Sequence, residues 1–178
     1  MSYTQSPKRK TLDPATYAFA QRVFAMARQD DAAGLGPLLD QGIPANIRNL
    51  HGDTLLMLAV AHGHTRTARL LLEHGADPEL RNEDGETPLT EAAYRGDVEL
   101  IELLLEYDAD LDGVRRDGRT PLMLAAMFDR APVVELLLRR GANVRARDAG
   151  GLNALDLAQA MGAEHTPSLL YRALRPPR

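Results

Sequence analysis

The sequence predicts an all-α solenoid of about five stacked helix-turn-helix repeats, and two periodic markers together with one feature of the composition support this. Gly52, Gly85, Gly118 and Gly151 stand 33 residues apart, each with Thr or Asn two residues on and Leu four residues on. Gly42, Gly75, Asp108 and Gly141 keep the same 33-residue period as an independent mark, usually followed by Ala and then Asp or Asn. A unit of that length cannot bury its own apolar face, so neighbours must stack into one continuous core. The chain of 178 residues is 44% hydrophobic and only 4% aromatic, so that core must be aliphatic, built of Leu, Val, Ala and Met.

The register divides the chain into a flexible N-terminal tail, 1–15, then repeats at 16–48, 49–81, 82–114, 115–147 and 148–178. The tail is loose through residue 13, and the first helix runs from about 15 to 28. In each central repeat Thr54, Thr87, Thr120 or Asn153 offers a side-chain oxygen to the open N–H groups of a first helix. Pro88 and Pro121 follow at the first helical position, where a fixed φ helps and a missing N–H costs nothing. Leu56, Leu89, Leu122 and Leu155 face inward, and Ala59-Val60, Ala92-Ala93, Ala125-Ala126 and Ala158 let neighbouring helix pairs approach. Second helices carry Leu70-Leu71-Leu72, Leu103-Leu104-Leu105 and Leu136-Leu137-Leu138, closing on the left-handed Gly75 and Gly141. Each Leu contributes about 1.5–3 kcal/mol on burial, before the cost of ordering the chain. Asp108 replaces Gly in its loop, which is expected to be the least tight of the set.

The segments Gly-Glu-Thr-Pro-Leu-Thr-Glu-Ala-Ala at 85–93 and Leu-Leu-Leu-Arg-Arg-Gly-Ala-Asn at 136–143 resemble the ankyrin-repeat family, in particular its short single-domain bacterial type. The likeness covers nearly everything after about residue 16. It implies antiparallel helix pairs with β-turn fingers on one side. The family commonly has His after Thr-Pro-Leu; here Met57, Thr90, Met123 and Asp156 stand there, so the usual side-chain bond back to the cap Thr is expected to be missing. The terminal repeats read as caps: 16–48 presents Gln21, Arg22, Arg28 and Gln29 while keeping Val23, Met26, Ala27, Leu38 and Leu39 in register. The last repeat is expected to have a shorter second helix from Pro167 to Leu174, with Arg172 and Arg175 facing water.

Charge is uneven. Residues 82–114 hold eleven acids against Arg95, and 115–147 hold eight Arg against Asp117, Asp129 and Glu135. Neighbouring repeats of opposite sign attract, and the same bipolar surface could orient a partner. The overall −4 argues against a nucleic-acid binder. There is no Cys, hence no disulfide framework or thiolate nucleophile, and no apolar run approaches the roughly 20 residues of a membrane span. A soluble cytoplasmic protein is the expectation. Two Lys against nineteen Arg suggest a bacterial genome rich in GC.

No nucleophile, base and orienting group can be read together: Ser occurs only at 2, 6 and 168, and there is no Gly-rich phosphate loop. Asp108-Ala-Asp110-Leu-Asp112-Gly113 looks like the start of a calcium loop, but Arg119 occupies the place of the required bidentate Glu. The expectation is a non-enzymatic module without cofactor or catalytic residue that grips another protein as regulator, inhibitor, immunity factor or scaffold. Alternatives are a homo-oligomer formed through Phe128 and the Met residues, or a metal- or ligand-binding protein using His51, His62 and Asp84. The family likeness implies that partners meet the fingertips and the exposed ends of the first helices. Those positions give Leu50, His62, Asp84, Glu86, Tyr94, Arg95, Arg116, Arg119, Met127 and Phe128, with Tyr94, Arg95, Met127 and Phe128 at the centre because hot spots favour aromatic, Arg and Met side chains. Glu91 departs from a column of Leu58, Leu124 and Leu157, and either pairs with Arg116 or Arg119 or lies exposed.

Overall fold

The computed structural model describes residues 13–175, which form five antiparallel helix pairs in one row. The first helices are α1 (Pro14–Arg28), α3 (Leu55–Ala61), α5 (Pro88–Arg95), α7 (Pro121–Met127) and α9 (Ala154–Ala160). The second helices are α2 (Ala32–Asp40), α4 (Thr65–Glu73), α6 (Val98–Glu106), α8 (Ala131–Arg139) and α10 (Thr166–Leu174). The tail assigned to 1–15 lies mostly outside the described residues, and α1 begins at Pro14 on a cap made by the Asp13 carboxylate.

Each helix packs on its own partner and on the equivalent helix of the next repeat, so the core runs the length of the row. Leu55, Leu56, Ala59, Leu89, Ala92, Ala93, Leu122, Ala125 and Ala126 are fully or almost fully buried between first helices. The Ala pairs let first helices approach more closely than second helices do. The row therefore bends toward the first helices, whose C-terminal ends and adjoining fingers form the concave side.

The cap residues act as the sequence predicts, and the residue after each Thr-Pro-Leu does more. Thr54 accepts from Met57 N–H at 3.2 Å, and Thr120 from Met123 N–H at 3.2 Å. The return bond expected to be missing is made by substitutes: Thr87 N–H donates to Thr90 Oγ1 at 2.9 Å and Asn153 N–H to Asp156 Oδ2 at 3.0 Å. At the fourth repeat Thr120 N–H reaches the Met123 sulfur at 3.5 Å. A capping box needs only an acceptor of the right reach, and hydroxyl, carboxylate and thioether each supply one.

Two further expectations are corrected. Helix α10 spans nine residues, as do α4, α6 and α8, because it starts at Thr166 and its open N–H groups are capped from the preceding repeat. The Asp108 loop is as closed as its equivalents: Asp108 takes φ 60° and Ala109 N–H bonds Leu104 carbonyl at 3.1 Å, matching Ala142 to Leu137 at 3.0 Å. Asp, tolerated in the left-handed region, accepts the strain rather than opening the turn.

Candidate partner-binding face

The fingers stack on one another through side chains that recur every 33 residues. Asn49 Oδ1 accepts from His51 and Asp53 N–H, and Asn82 Oδ1 does the same for Asp84 and Glu86, which shapes each fingertip. Asp53 reaches forward to Asn82 Nδ2 at 3.0 Å, Glu86 to Arg115 Nη1 at 3.0 Å, and Arg119 Nε to Asp148 Oδ2 at 3.7 Å. The sign of the contact reverses at the fourth repeat, where Arg replaces both the amide and the acid of earlier fingers. Arg48 and Arg81 each bond a carbonyl of their own finger and one of the next, Arg81 and Val114 respectively. At Gly85 a Cβ would stand 2.7 Å from Arg116 Cγ, so that turn needs glycine for close approach as well as for its φ of 78°.

The predicted site residues fall into two groups. Glu86 and Arg119 are half-buried and joined to neighbouring fingers, Arg119 also reaching Asp117 at 3.4 Å. Leu50, Asp84 and Arg116 are exposed at fingertips, Leu50 at 77% beside Tyr17, Phe24 and Arg48 around a hollow of about 110 Å³. The second group is brought together at the helix ends. Tyr94 and Phe128 meet edge to face with ring centroids 4.6 Å apart and planes at 86°. Both remain open to solvent, at 43% and 36% exposure. Met127 is half-buried beside Phe128, at the end of α7. Phe128 has Tyr94 as its ring partner, while Met161, the equivalent residue of the last repeat, is 55% exposed.

Arg130, which sequence reasoning passed over, anchors the backbone beneath this pair. Its Nε donates to the Tyr94 carbonyl at 3.1 Å, and its stem crosses Gly96 so closely that a Cβ there would stand 2.7 Å from Arg130 Cδ. At the equivalent position of the second repeat, His64 has the same role, its Nε2 donating to the Arg28 carbonyl at 2.8 Å. Arg95 likewise reaches back, Nη1 donating to the Ala61 carbonyl at 2.6 Å. The open carbonyls at first-helix ends are thus capped from the following repeat. That His64 and Arg130 occupy equivalent places in their repeats is hidden by their different chemistry.

Glu91 meets neither expectation. It is half-buried, and among the described residues it pairs with neither Arg: Arg116 is exposed at its fingertip and Arg119 is engaged with Asp117 and Asp148, while Arg115 pairs with Glu86. Burial first, and the Glu86 carboxylate second, hold its carboxyl above the usual range. Among the described residues no group of three or more His, Asp or Glu converges as a metal site. His51 sits on a fingertip, and His62 Nδ1 is turned back to the Leu58 carbonyl at 2.8 Å. Two acids of the calcium-like stretch serve the backbone, Asp110 accepting from Asp112 N–H and Asp112 from Asn143 N–H. Among the described residues no helix is long and apolar enough to cross a membrane.

A row of helix pairs with stacked fingers and a hollowed inner side defines a repeat protein of the ankyrin class. The ankyrin-repeat family model, three copies, matches residues 23–114, 74–148 and 108–173, and the chain belongs to that family. It is 51% identical over 67 residues to an ankyrin repeat protein, PA3287, of Pseudomonas aeruginosa, a match covering 38% of this chain and 39% of that relative. Ankyrin repeats are in general protein–protein interaction modules.

Proposed function

We propose that the chain is a non-enzymatic binding protein of the bacterial cytoplasm whose concave face grips another folded protein, as a regulator, inhibitor, immunity factor or scaffold. The observation that carries this reading is the Tyr94–Phe128 pair, two exposed aromatic rings in edge-to-face contact at the middle of the face, with Arg130 tying down the Tyr94 backbone carbonyl. Rigid aromatic surface loses little entropy on binding, which suits a hot spot. Capture from the native cell with the full chain as bait, followed by mass spectrometry, tests it. A protein retained by the wild type and lost with Phe128→Asp and Tyr94→Ala supports the reading, provided the melting temperature of both variants stays within about 3 °C. Retention of the same proteins by all three chains refutes it. Dimers of the wild type in sedimentation, dispersed by Phe128→Asp, would instead support self-association through the same rings.

A further inference from the structure

Glu91 stands in a column otherwise filled by buried Leu58, Leu124 and Leu157. Its neighbours are all engaged: Asp53 accepts from the Asn49 and Asn82 amides, and Glu86 from Asn82 and Arg115. Arg95, four residues on along α5, gives its Nη1 to the Ala61 carbonyl. Among the described residues no hydrogen bond or ion pair reaches the Glu91 carboxylate, although burial has stripped part of its water. It borders a hollow of about 70 Å³ lined also by Met57, Leu58 and Ala61 and by Asp53, Asn82 and Glu86. Leu at this position would match the column and avoid the desolvation cost.

The hollow and the aromatic pair are adjacent. Glu91 and Tyr94 are i and i+3 on α5, so they share one face about 5–6 Å apart. A metal ion is a poor occupant, since no group of three ligands converges among the described residues. A side-chain cation fits better, because its stem can lie on the Met57 and Leu58 surface while its head meets the unpaired carboxylate. Arg fits best, being weakly hydrated, planar and able to take a carboxylate with two donors.

We infer that the concave face takes a partner segment in which an Arg, or less favourably a Lys, stands close in sequence to a large apolar side chain, the cation entering the hollow beside Glu91 and the apolar group lying on Tyr94 and Phe128. This rests on the protein-binding reading above and gives it a chemistry and a direction: basic group toward the second repeat, apolar group toward the fourth.

Peptide display against the full chain tests it, with Glu91→Leu and Phe128→Asp chains as controls. The expected winners carry a basic residue within about four positions of an aromatic or large aliphatic one. Synthesised, a winner binds Glu91→Leu at least ten-fold more weakly, and replacing its basic residue by Gln weakens wild-type binding as much while hardly changing binding to Glu91→Leu. Glu91→Leu itself is expected to melt about 2–4 °C higher, since an unpaired half-buried carboxylate is exchanged for the column's own residue. Winners that depend on Phe128 but lack a basic residue, or bind Glu91→Leu equally, overturn this inference and leave the protein-binding reading standing. A melting temperature that does not rise overturns it as well, since the carboxylate would then have a partner. Failure to enrich any peptide over the two controls counts against the inference, and only combined with failed capture from the cell does it remove both readings.

Discussion

Glu86 Oε1 lies 3.0 Å from Arg115 Nη1, and this ion pair joins the acidic third repeat to the basic fourth at the fingers. The Arg115 and Glu86 side chains are only 26% and 25% exposed, less than in a typical surface pair. On the second-helix side Arg140 approaches Glu102 at 3.8 Å, so the charge asymmetry is partly used to hold one repeat against the next.

A double-mutant cycle of Glu86→Gln and Arg115→Gln is therefore expected to give a coupling of about 1 kcal/mol, read from chemical denaturation. Glu86→Gln should be the more damaging single change, since it leaves a half-buried guanidinium whose Nε already lacks a partner. A coupling near zero would make the pair incidental to stability.

The edge-to-face contact of Tyr94 with Phe128 should be measurable apart from partner binding. Alanine at each position and at both is expected to show a coupling of about 0.5–1.5 kcal/mol in stability. Independent effects would mean that the rings are not held together in solution.

Asp108 and Asp129 both adopt left-handed backbone, at φ 60° and 54°, but with different consequences. The Asp108 carboxylate has no bonding partner among the described residues, so Asp108→Gly relieves strain and should stabilise by about 1 kcal/mol, or roughly 2–4 °C in melting temperature. The Asp129 carboxylate accepts from the backbone N–H of Glu164, His165 and Thr166, capping α10. Asp129→Gly should therefore lower the melting temperature despite relieving the same strain. If both substitutions shift it in one direction, side-chain capping of α10 is not what separates them.

This contrast also marks how far the sequence could be read. The Gly85-type and Gly75-type markers fixed the period and the helix pairs, because a turn with positive φ and a capped helix each demand a narrow set of residues. A third left-handed series, Asp30, Gly63, Gly96, Asp129 and Gly162, keeps the same period but mixes two residue types, so no single letter marks it throughout. The capping of first-helix carbonyls by His64 and Arg130 is hidden for the same reason: the backbone asks only for a donor that reaches. Tyr94 and Phe128 were visible as unusual side chains at variable positions. Their contact spans 34 residues and two repeats, and only the closeness of the stacking brings it about. The isolation of Glu91 was not legible, because it depends on where Arg95, Arg115 and Arg119 spend their donors.

The docking of α10 should depend on pH through His165 and Asp129. His165 Nδ1 donates to Asp129 Oδ2 at 2.6 Å, and this bond raises the His165 pKa above its ordinary 6.5. The same bond, with the three backbone N–H donors, holds the Asp129 carboxyl well below its ordinary 3.8. A raised His pKa contributes stability that is fully present below 6.5 and is lost as pH rises through the folded-state value; a lowered Asp pKa contributes stability that is present above 3.8 and is lost as pH falls through the folded-state value. Helix α10 is therefore held most firmly between those two ordinary values and should loosen on raising the pH above neutrality. Amide exchange at His165 and Thr166, corrected for intrinsic rates, is expected to show protection falling over that rise, with Asp129→Asn removing the dependence. His74, raised by the Leu70 carbonyl and by Asp40, titrates in the same direction on α4, so loss of protection confined to α10 identifies the His165 pair as the cause. Protection that stays flat across the titration of His165 would show that the three backbone bonds to Asp129 hold the helix without the imidazolium.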